Sequence, residues 1–372
     1  MAHIISPSPR VRRSPFYEKT VEDGVVSFAP YNHMLMPTGY GDPMAEYDRL
    51  INGVAMWDVA VERQVEIAGP DAAKLAQALS PRIIADMPVG MGWYVPICDH
   101  RGVIINDPIL LKVAEDRYWF SIADSDLLLW ARAVAGERGY VVNVFEPDVS
   151  PLAVQGPKAE DVVASVFGDW VRELTLFQFR DAELAGMPLM LARSGWSKQG
   201  GFEIYLMDGK RAGELWDTIK DAGAPYDIGP GCPNNMERVE SGLLSWGGDT
   251  DDETNPYEVR MGRFVDLSCP DGPDGAIGIE ALRRIKEEGP RRWQLGVKLR
   301  LEDRMDPTDK RSEIRLNGDY MGMVTAHAWS PRLETNIGMC LVSREIRAGD
   351  VVEVYLPDGR LCEGEMTKLP FI

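Results

Sequence analysis

The chain has 372 residues, of which 45% are hydrophobic and 26% charged, the balance of a globular protein with two or three domains. Its formal net charge of −18 argues against a nucleic-acid partner, because binding to phosphates needs a basic surface. The five cysteines are widely spaced and no apolar run approaches the roughly 20 residues of a membrane span, so we expect no membrane association and a reducing, cytoplasmic compartment.

One pattern occurs twice in the first half of the chain. The apolar run Val65-Glu66-Ile67 precedes Gly69-Pro70 and then apolar residues at helical spacing, which predicts a strand, a turn and a helix. The same order recurs from Gln155-Gly156-Pro157 onward. The repetition indicates modules of the α+β class.

Asp107 interrupts an apolar strand that spans residues 103–111. Tyr94, in the preceding apolar run, is expected to face the same space. A carboxylate at this position either caps a turn or is buried, and a buried carboxylate needs a partner and often has a function. The residues alone leave both interpretations open.

Residues 192–205 combine an indole, an ammonium, a carboxylate and a phenol around the pair Gly200-Gly201. A strand is predicted from Phe202 onward, so Glu203 and Tyr205 point to the same face. Trp196 offers a flat face for a cation, and Glu203 offers acceptors for a fused-ring amide. A hairpin with a packed tryptophan and an extended surface lysine, Lys198, is the alternative.

The rest of the chain predicts two helices and then an all-β region. Residues 209–222 carry one apolar face with Gly223 just beyond, and residues 234–246 form a second, unusually charged helix. Residues 286–292 are the expected linker. Asn317-Gly318 and Asp358-Gly359 predict tight hairpins within a β-barrel-like domain that spans residues 290–372.

Several common types of site are not indicated by the sequence. Gly90 and Gly92 form a glycine pair without the spacing of a dinucleotide-binding fingerprint. No phosphate-binding loop and no nucleophile elbow occurs. The histidines are scattered, so no metal site is expected.

Six segments together resemble the folate-dependent aminomethyltransferase family, which comprises the T-protein of the glycine cleavage system and its relatives. The resemblance runs nearly from end to end. Residues 192–201, 231–235 and 31–35 are similar to a branch of the family that demethylates dimethylsulfoniopropionate. The six segments are Val54 to Val59, Gly102 to Asp107, Val154 to Pro157, Arg193 to Tyr205, Arg238 to Ser241 and Thr254 to Glu258.

The resemblance implies an α+β fold with three domains in a cloverleaf around a central channel that holds tetrahydrofolate as co-substrate. The implied domains are a first, discontinuous α+β domain (1–50 and 140–230), a second one (51–139 and 231–285) and the C-terminal barrel-like domain (290–372). A small-molecule methyl donor is the implied partner, and a homodimer is an open expectation.

The resemblance also implies roles for single residues. Asp107 is the implied catalytic carboxylate, and it would bind the folate together with Tyr94 and Glu203. Substrate binding is expected from five further residues: Trp196 against a sulfonium, Lys198 and Tyr205 at a carboxylate, and Tyr31 and His33 along the pocket.

The implied reaction moves a methyl group from the sulfonium of dimethylsulfoniopropionate to N5 of tetrahydrofolate. Other donors, namely a methylated amine or a methoxy-aromatic acid, stay open, as do aminomethyl transfer and a non-catalytic folate-binding role. Asn234 stands where the glycine-cleavage branch has arginine, and Ile279 where the family usually has lysine. Residues 300–320 resemble the family least.

Overall fold

The computed structural model describes residues 8–272, 275–305, 308 and 310–372. Some of its α-helices have capped ends: Asp42 accepts hydrogen bonds from the amides of Met44 and Ala45 at the start of one helix, and Gly139 ends another in the left-handed conformation. In chain order the α-helices are α1 (Tyr17–Glu22), α2 (Pro43–Asn52), α3 (Ala72–Leu79), α4 (Leu127–Arg138), α5 (Ala159–Phe167), α6 (Ala212–Gly223), α7 (Asn235–Ser241) and α8 (Ile279–Glu288).

The strands form two open sheets, a closed barrel and two small two-stranded sheets, β1 with β2 and β6 with β7. In chain order they are β1 (Ser27–Tyr31), β2 (Met34–Gly39), β3 (Ala55–Asp58), β4 (Gln64–Ala68), β5 (Met91–Tyr94), β6 (Ile97–Cys98), β7 (Ile104–Asn106), β8 (Ile109–Ala114), β9 (Arg117–Ser121), β10 (Asn143–Phe145), β11 (Ser150–Gln155), β12 (Phe179–Leu184), β13 (Met187–Ala192), β14 (Gly201–Leu206), β15 (Gly229–Gly231), β16 (Arg292–Leu299), β17 (Ser312–Leu316), β18 (Asp319–Ser330), β19 (Thr335–Ser343), β20 (Val351–Tyr355) and β21 (Leu361–Thr367).

The first open sheet has the strand order β10-β4-β9-β8-β5. One face is covered by α3 and α4, because the apolar side of each helix, for example Leu75 and Val134, packs on Ile67 and Phe120 of the sheet. The second open sheet has the order β12-β13-β14-β11-β3-β15, and α5 and α6 cover one of its faces. Both predicted repeats of strand, turn and helix are therefore present.

The two open sheets face each other on their remaining sides. Trp119 of β9 and Tyr205 of β14 lie with ring centroids 6.3 Å apart in a shared buried cluster. Because side chains alternate along β14, Phe202 and Ile204 point to the helices, while Glu203 and Tyr205 point toward the first sheet. This alternation places polar side chains between the two sheets.

The C-terminal region is a closed barrel with the strand order β16-β19-β18-β17-β20-β21. Both predicted hairpins are present: Asn317 and Gly318, with φ of 53° and 88°, connect β17 to β18, and Gly359 lies in the turn from β20 to β21. An α+β fold with a C-terminal barrel is therefore confirmed.

Three predicted boundaries differ from the structure. The helix predicted over 209–222 begins at Ala212 and includes Gly223, which was expected just beyond its end. The helix predicted over 234–246 ends at Ser241, because Gly242 adopts the left-handed conformation. The predicted linker 286–292 is shorter, since α8 continues to Glu288 and β16 begins at Arg292. The division into discontinuous domains stays a prediction. Strand β3, assigned to the second domain, pairs with β11 of the first, and β10, assigned to the first domain, pairs with β4 of the second.

Ile279 and the five cysteines have structural positions. Ile279 is the first residue of α8 and is buried against Cys269 and Ala276, which accounts for an apolar residue there. All five cysteines are buried and free. Among the described residues, no helix combines the length and the apolar character needed to cross a bilayer.

Candidate active site

Glu203 lies at the centre of the candidate site, in the middle of β14 and buried between the two open sheets. Its Oε2 accepts hydrogen bonds from Ser194 Oγ at 2.5 Å and from Tyr205 Oη at 2.9 Å. Burial raises the pKa of Glu203, and the two hydroxyl donors oppose that rise. Within the described residues Oε1 has no protein partner, so it is available to a ligand donor.

Glu62 is a second carboxylate of the site, and sequence analysis missed it. Burial and the negative charge of Glu203 raise the pKa of Glu62 well above its usual range, and Asp107 adds to the rise. Ser121 Oγ, 3.5 Å from Glu62 Oε2, is only a weak donor. Glu62 follows β3 without any local motif, so its sequence position gave no signal.

Asp107 is the third carboxylate and lies in the short connection between β7 and β8. Tyr94 Oη, at the end of β5, donates a hydrogen bond of 2.5 Å to Asp107 Oδ2. Burial raises the pKa of Asp107 to about 7, although the Tyr94 hydrogen bond favours the charged form. The structure therefore brings the predicted pair together, and the carboxylate is buried and not a simple turn cap.

Tyr31, at the end of β1, belongs to the same group. Burial, followed by the charges of Glu62, Asp107 and Asp124, raises the pKa of the Tyr31 phenol well above its usual range. The three carboxylates and the phenols of Tyr31, Tyr94 and Tyr205 thus form one polar group between the sheets. At neutral pH the phenols are hydrogen-bond donors and not anions.

Trp196 and Lys198 lie in the loop between β13 and β14. The backbone amide of Lys198 donates to Glu237 Oε1 of α7 at 3.0 Å, while its side chain is exposed. The loop is also bonded to Gln155, which contacts Ser194 and Ser197. The loop therefore has a fixed path from the end of β13 to the start of β14.

The indole of Trp196 lies beside a buried ion pair. The guanidinium carbon of Arg238 is 5.9 Å from the Trp196 ring centroid. Arg238 Nη1 is 2.7 Å from Asp249 Oδ2, which neutralises its charge. Asp249 also contributes to the raised pKa of Asp107, so this ion pair connects the Trp196 loop with the Asp107 side of the site.

Two predicted substrate residues have other partners. The exposed ring of His33 lies with Nε2 3.1 Å from Asp126 Oδ1 at the surface. Tyr205 donates its hydroxyl proton to Glu203, so it orients that carboxylate. Their roles toward substrate stay predictions. Asn234 caps α7 by accepting from the amide of Glu237, which gives it a structural function.

The sequence matches two family models. Residues 16–269 match the GCVT N-terminal domain, and residues 294–372 match the glycine cleavage T-protein C-terminal barrel domain. The chain belongs to the glycine cleavage T-protein family. The predicted resemblance is thereby confirmed, and with it the use of tetrahydrofolate as co-substrate of a methyl or aminomethyl transfer.

Individual relatives cover nearly the whole chain. A protein of Ruegeria pomeroyi, dimethylsulfoniopropionate demethylase DmdA, is 43% identical over 95% of this chain and 96% of its own length. An aminomethyltransferase of Thermotoga maritima is 29% identical over 97% of this chain and 98% of its own. The crystal structure of the glycine cleavage system aminomethyltransferase T from Bartonella henselae superposes with a TM-score of 0.83 at 22% identity, covering 97% and 98% of the two chains.

The site residues fit a pterin better than a metal ion. Glu203 Oε1 is available to the amide and amino groups of a pterin ring, and Asp107 is a second buried acceptor. Across the described ranges, no group of three or more His, Cys, Asp or Glu side chains is arranged to hold a metal ion.

Proposed function

We propose that this protein transfers a methyl group from the sulfonium of dimethylsulfoniopropionate to N5 of tetrahydrofolate, giving 3-methylthiopropionate and 5-methyltetrahydrofolate. The main support is the identity of 43%, over 95% of this chain and 96% of the relative's length, with a dimethylsulfoniopropionate demethylase. The aminomethyltransferase of Thermotoga maritima is 29% identical over a similar length.

The charge of the site favours a cationic methyl donor. Glu62, Glu203 and Asp107 lie between the sheets without an ion pair to a described Lys or Arg side chain. Arg238, the cation beside Trp196, is neutralised by Asp249. The ring of Trp196 is proposed to bind the sulfonium by a cation–π contact, which is worth about 1–2 kcal/mol when water is excluded.

Asp107 is the proposed proton acceptor. The sulfide leaves with the electron pair of the broken S–C bond, so no nucleophilic side chain is needed, and N5 loses a proton once it carries the methyl group. Asp107, with its pKa raised to about 7 by burial, is ionised in about half of the molecules at neutral pH and can accept that proton. Tyr94 holds the carboxylate in place.

Glu203 is proposed to bind the pterin, with Oε1 accepting from its amide and amino groups. Lys198 is proposed to attract the carboxylate of the methyl donor as a point charge. Tyr31, whose phenol pKa is raised in part by the charges of Glu62 and Asp107, is proposed to line the donor pocket. His33 and Tyr205 are proposed to act there only indirectly, because each already has a protein partner.

Incubation with tetrahydrofolate and a panel of donors under anaerobic conditions tests the proposal. The panel contains dimethylsulfoniopropionate, a betaine, a methoxy-aromatic acid and aminomethyl-lipoyl protein, and chromatography measures 5-methyltetrahydrofolate and 5,10-methylenetetrahydrofolate. We expect 5-methyltetrahydrofolate from dimethylsulfoniopropionate. Turnover of a betaine or an aryl ether, with none of dimethylsulfoniopropionate, would overturn the proposal.

We further propose that the enzyme acts in the cytoplasm as a homodimer without a nucleic-acid partner. The free, buried cysteines and the net charge of −18 support the first and the last point. Cell fractionation and light scattering of the purified protein test location and assembly; a monomer in solution would contradict the dimer.

A further inference from the structure

The tip of the β1–β2 hairpin places a polar side chain inside the protein. Asn32 and His33, the two residues between β1 and β2, have φ of 48° and 61°. Two-residue hairpin turns of this kind need the left-handed region at both positions, and asparagine tolerates it well. Asparagine is mostly exposed in proteins, yet Asn32 is only 3% exposed. Its burial therefore has a cause beyond the turn itself.

The Asn32 side chain bonds the hairpin tip to two other segments. Its Nδ2 donates to the Val61 carbonyl at 3.0 Å and to the Ile122 carbonyl at 3.3 Å. Val61 directly precedes Glu62, and Ile122 follows the end of β9. The backbone amide of Asn32 donates in addition to Asp124 Oδ1 at 2.7 Å. One buried residue therefore joins the hairpin to the segments before β4 and after β9.

The segment after β9 is also bonded to the strand that leads to Asp107. Asn106, which is buried and directly precedes Asp107, accepts from the Ala123 amide at 3.0 Å. Its Nδ2 donates to the Ala123 carbonyl at 3.0 Å and to Ser125 Oγ at 2.7 Å. Asn32 and Asn106 therefore hold the same short segment, one from the hairpin and one from the Asp107 strand.

Tyr31 directly precedes Asn32 and carries the side chain that reaches the site. Burial, and then the charges of Glu62 and Asp107, raise the pKa of its phenol. Strands β1 and β2 form a two-stranded sheet of their own, separate from both open sheets. An isolated hairpin is marginally stable, so contacts at its tip with the rest of the protein influence where the Tyr31 ring lies.

We propose that Asn32 is a positioning residue, which fixes Tyr31 relative to Asp107 and thereby sets the affinity for the methyl donor. Asn32 acts through Tyr31 and touches neither substrate. Donor and acceptor must be aligned for methyl transfer, so a loose Tyr31 weakens donor binding, whereas the carboxylates proposed for the folate are unaffected. The proposal rests on the proposed placement of Tyr31 in the donor pocket.

Asn32→Gly tests the proposal, because glycine keeps the left-handed turn and removes only the side-chain hydrogen bonds. The KM for the donor should rise about 5- to 20-fold, as expected for the loss of one or two buried hydrogen bonds. The dissociation constant of tetrahydrofolate should change less than about twofold, since its proposed ligands are distant in the chain and intact. An unchanged KM for the donor, or an equal loss of folate affinity, would overturn the proposal.

Asn317→Gly is the matched control. Asn317 is the first of the two residues between β17 and β18, with φ of 53°, and it is exposed. The same substitution in the same kind of turn should leave the KM for the donor unchanged. Thermal unfolding shows that both variants are folded at the assay temperature. A rise in the KM as large as that of Asn32→Gly would contradict a specific role for Asn32.

A double-mutant cycle separates positioning from a merely structural role. If Asn32 acts through Tyr31, Asn32→Gly should change the KM less than about twofold in a Tyr31→Ala background, although it changes it strongly in the wild type. Equal factors in both backgrounds would show that Asn32 acts independently of Tyr31, and the proposal would be wrong.

Hydrogen exchange gives a measurement that needs no donor. Amides of residues 27–39 should exchange faster in Asn32→Gly than in the wild type, because the hairpin tip is no longer held, and Asn317→Gly should leave them unchanged. Unchanged exchange in Asn32→Gly would overturn the proposal. If the wild type turns over another donor of the panel and not dimethylsulfoniopropionate, the proposed function is wrong, and the cycle is measured with that donor. The two proposals therefore fail independently.

Discussion

Burial sets the protonation of the site at the scale of single residues. Glu62, Glu203 and Asp107 each have a raised pKa, with desolvation as the main cause. The negative charge of Glu203 adds to the rise in the pKa of Glu62. A site of this kind holds cations and hydrogen-bond donors and repels free anions, which agrees with a sulfonium donor.

Asp107 gives the first prediction. Its pKa is raised to about 7, so the ionised form that accepts a proton increases as the pH rises through 7, and the turnover rate should rise over the same range. Asp107→Asn should lower kcat about 100-fold and abolish this pH-dependent limb. The measurement is kcat at saturating substrates from pH 5.5 to 8.5.

Tyr94→Phe is the control for the Asp107 prediction. Without the Tyr94 hydrogen bond, which favours the charged form of Asp107, the limb should move to higher pH and persist. A limb that is unchanged in Asp107→Asn would assign the titration to another group.

Trp196 gives the second prediction. Trp196→Ala should raise the KM for dimethylsulfoniopropionate about 5- to 30-fold, because the cation–π contact is lost. The dissociation constant of tetrahydrofolate should change less than about twofold, since Glu203, Asp107 and Tyr94 are untouched. Trp196→Phe should retain part of the donor affinity. A collapse of folate binding with unchanged donor affinity would contradict this role.

At the scale of elements, the loop between β13 and β14 depends on close backbone contacts. A Cβ on Gly201, which has φ of +147°, would lie 2.3 Å from the Val154 carbonyl oxygen on β11. A Cβ on Gly200, with φ of +79°, would meet nothing within 4 Å. Glycine is therefore required at Gly201 by both conformation and space, and at Gly200 by conformation alone.

The third prediction compares these two glycines. Gly200→Ala should lower the free energy of unfolding by about 1 kcal/mol, the cost of a side chain at positive φ. Gly201→Ala should cost about 1–3 kcal/mol more, because β14 must move away from β11, and it should also raise the KM for the donor. Denaturant titration and steady-state kinetics provide the two measurements. Equal costs at both positions would show that the contact with Val154 is relaxed easily.

At the scale of the whole molecule, Glu240 of α7 joins three parts of the chain. Its buried carboxylate accepts hydrogen bonds from Tyr47 of α2 at 2.8 Å, and from Ser330 and Arg332 at the end of β18, each at 2.5 Å. Its backbone carbonyl accepts from the amides of Phe371 and Ile372. Helix α2, the barrel and the C-terminal residues thus meet at one residue, Glu240.

The fourth prediction concerns this junction. Glu240→Ala should lower the free energy of unfolding by about 3–5 kcal/mol, because Arg332 and Tyr47 lose their partner in a buried place. The matched control is Glu363→Ala, which breaks an ion pair with Arg300 whose side chains are 63% and 54% exposed and should cost under about 1 kcal/mol. Urea unfolding checks both. A cost for Glu240→Ala as small as that of the control would mean that the three parts are stabilised independently.

Local signals in the sequence determined much of this protein. Hairpin dipeptides such as Asn317-Gly318 have one favourable backbone conformation, and helical spacing identified α3 and α6, because these preferences act over a few residues. The same local logic placed Glu203 and Tyr205 on one face of β14. The motifs identified the family, and the family resemblance implied that Asp107 and Tyr94 belong to one site.

Only the tertiary structure decided which polar groups meet between the sheets. Glu62 and Glu203 act on each other because β14 and β3, the strand before Glu62, both flank β11 in one sheet. Their large separation in sequence gives no sign of this. Desolvation, which raises the pKa of Asp107, depends on packing from distant segments. Local backbone preferences depend on neighbouring residues, whereas the burial of a side chain and the charges around it depend on the whole folded molecule.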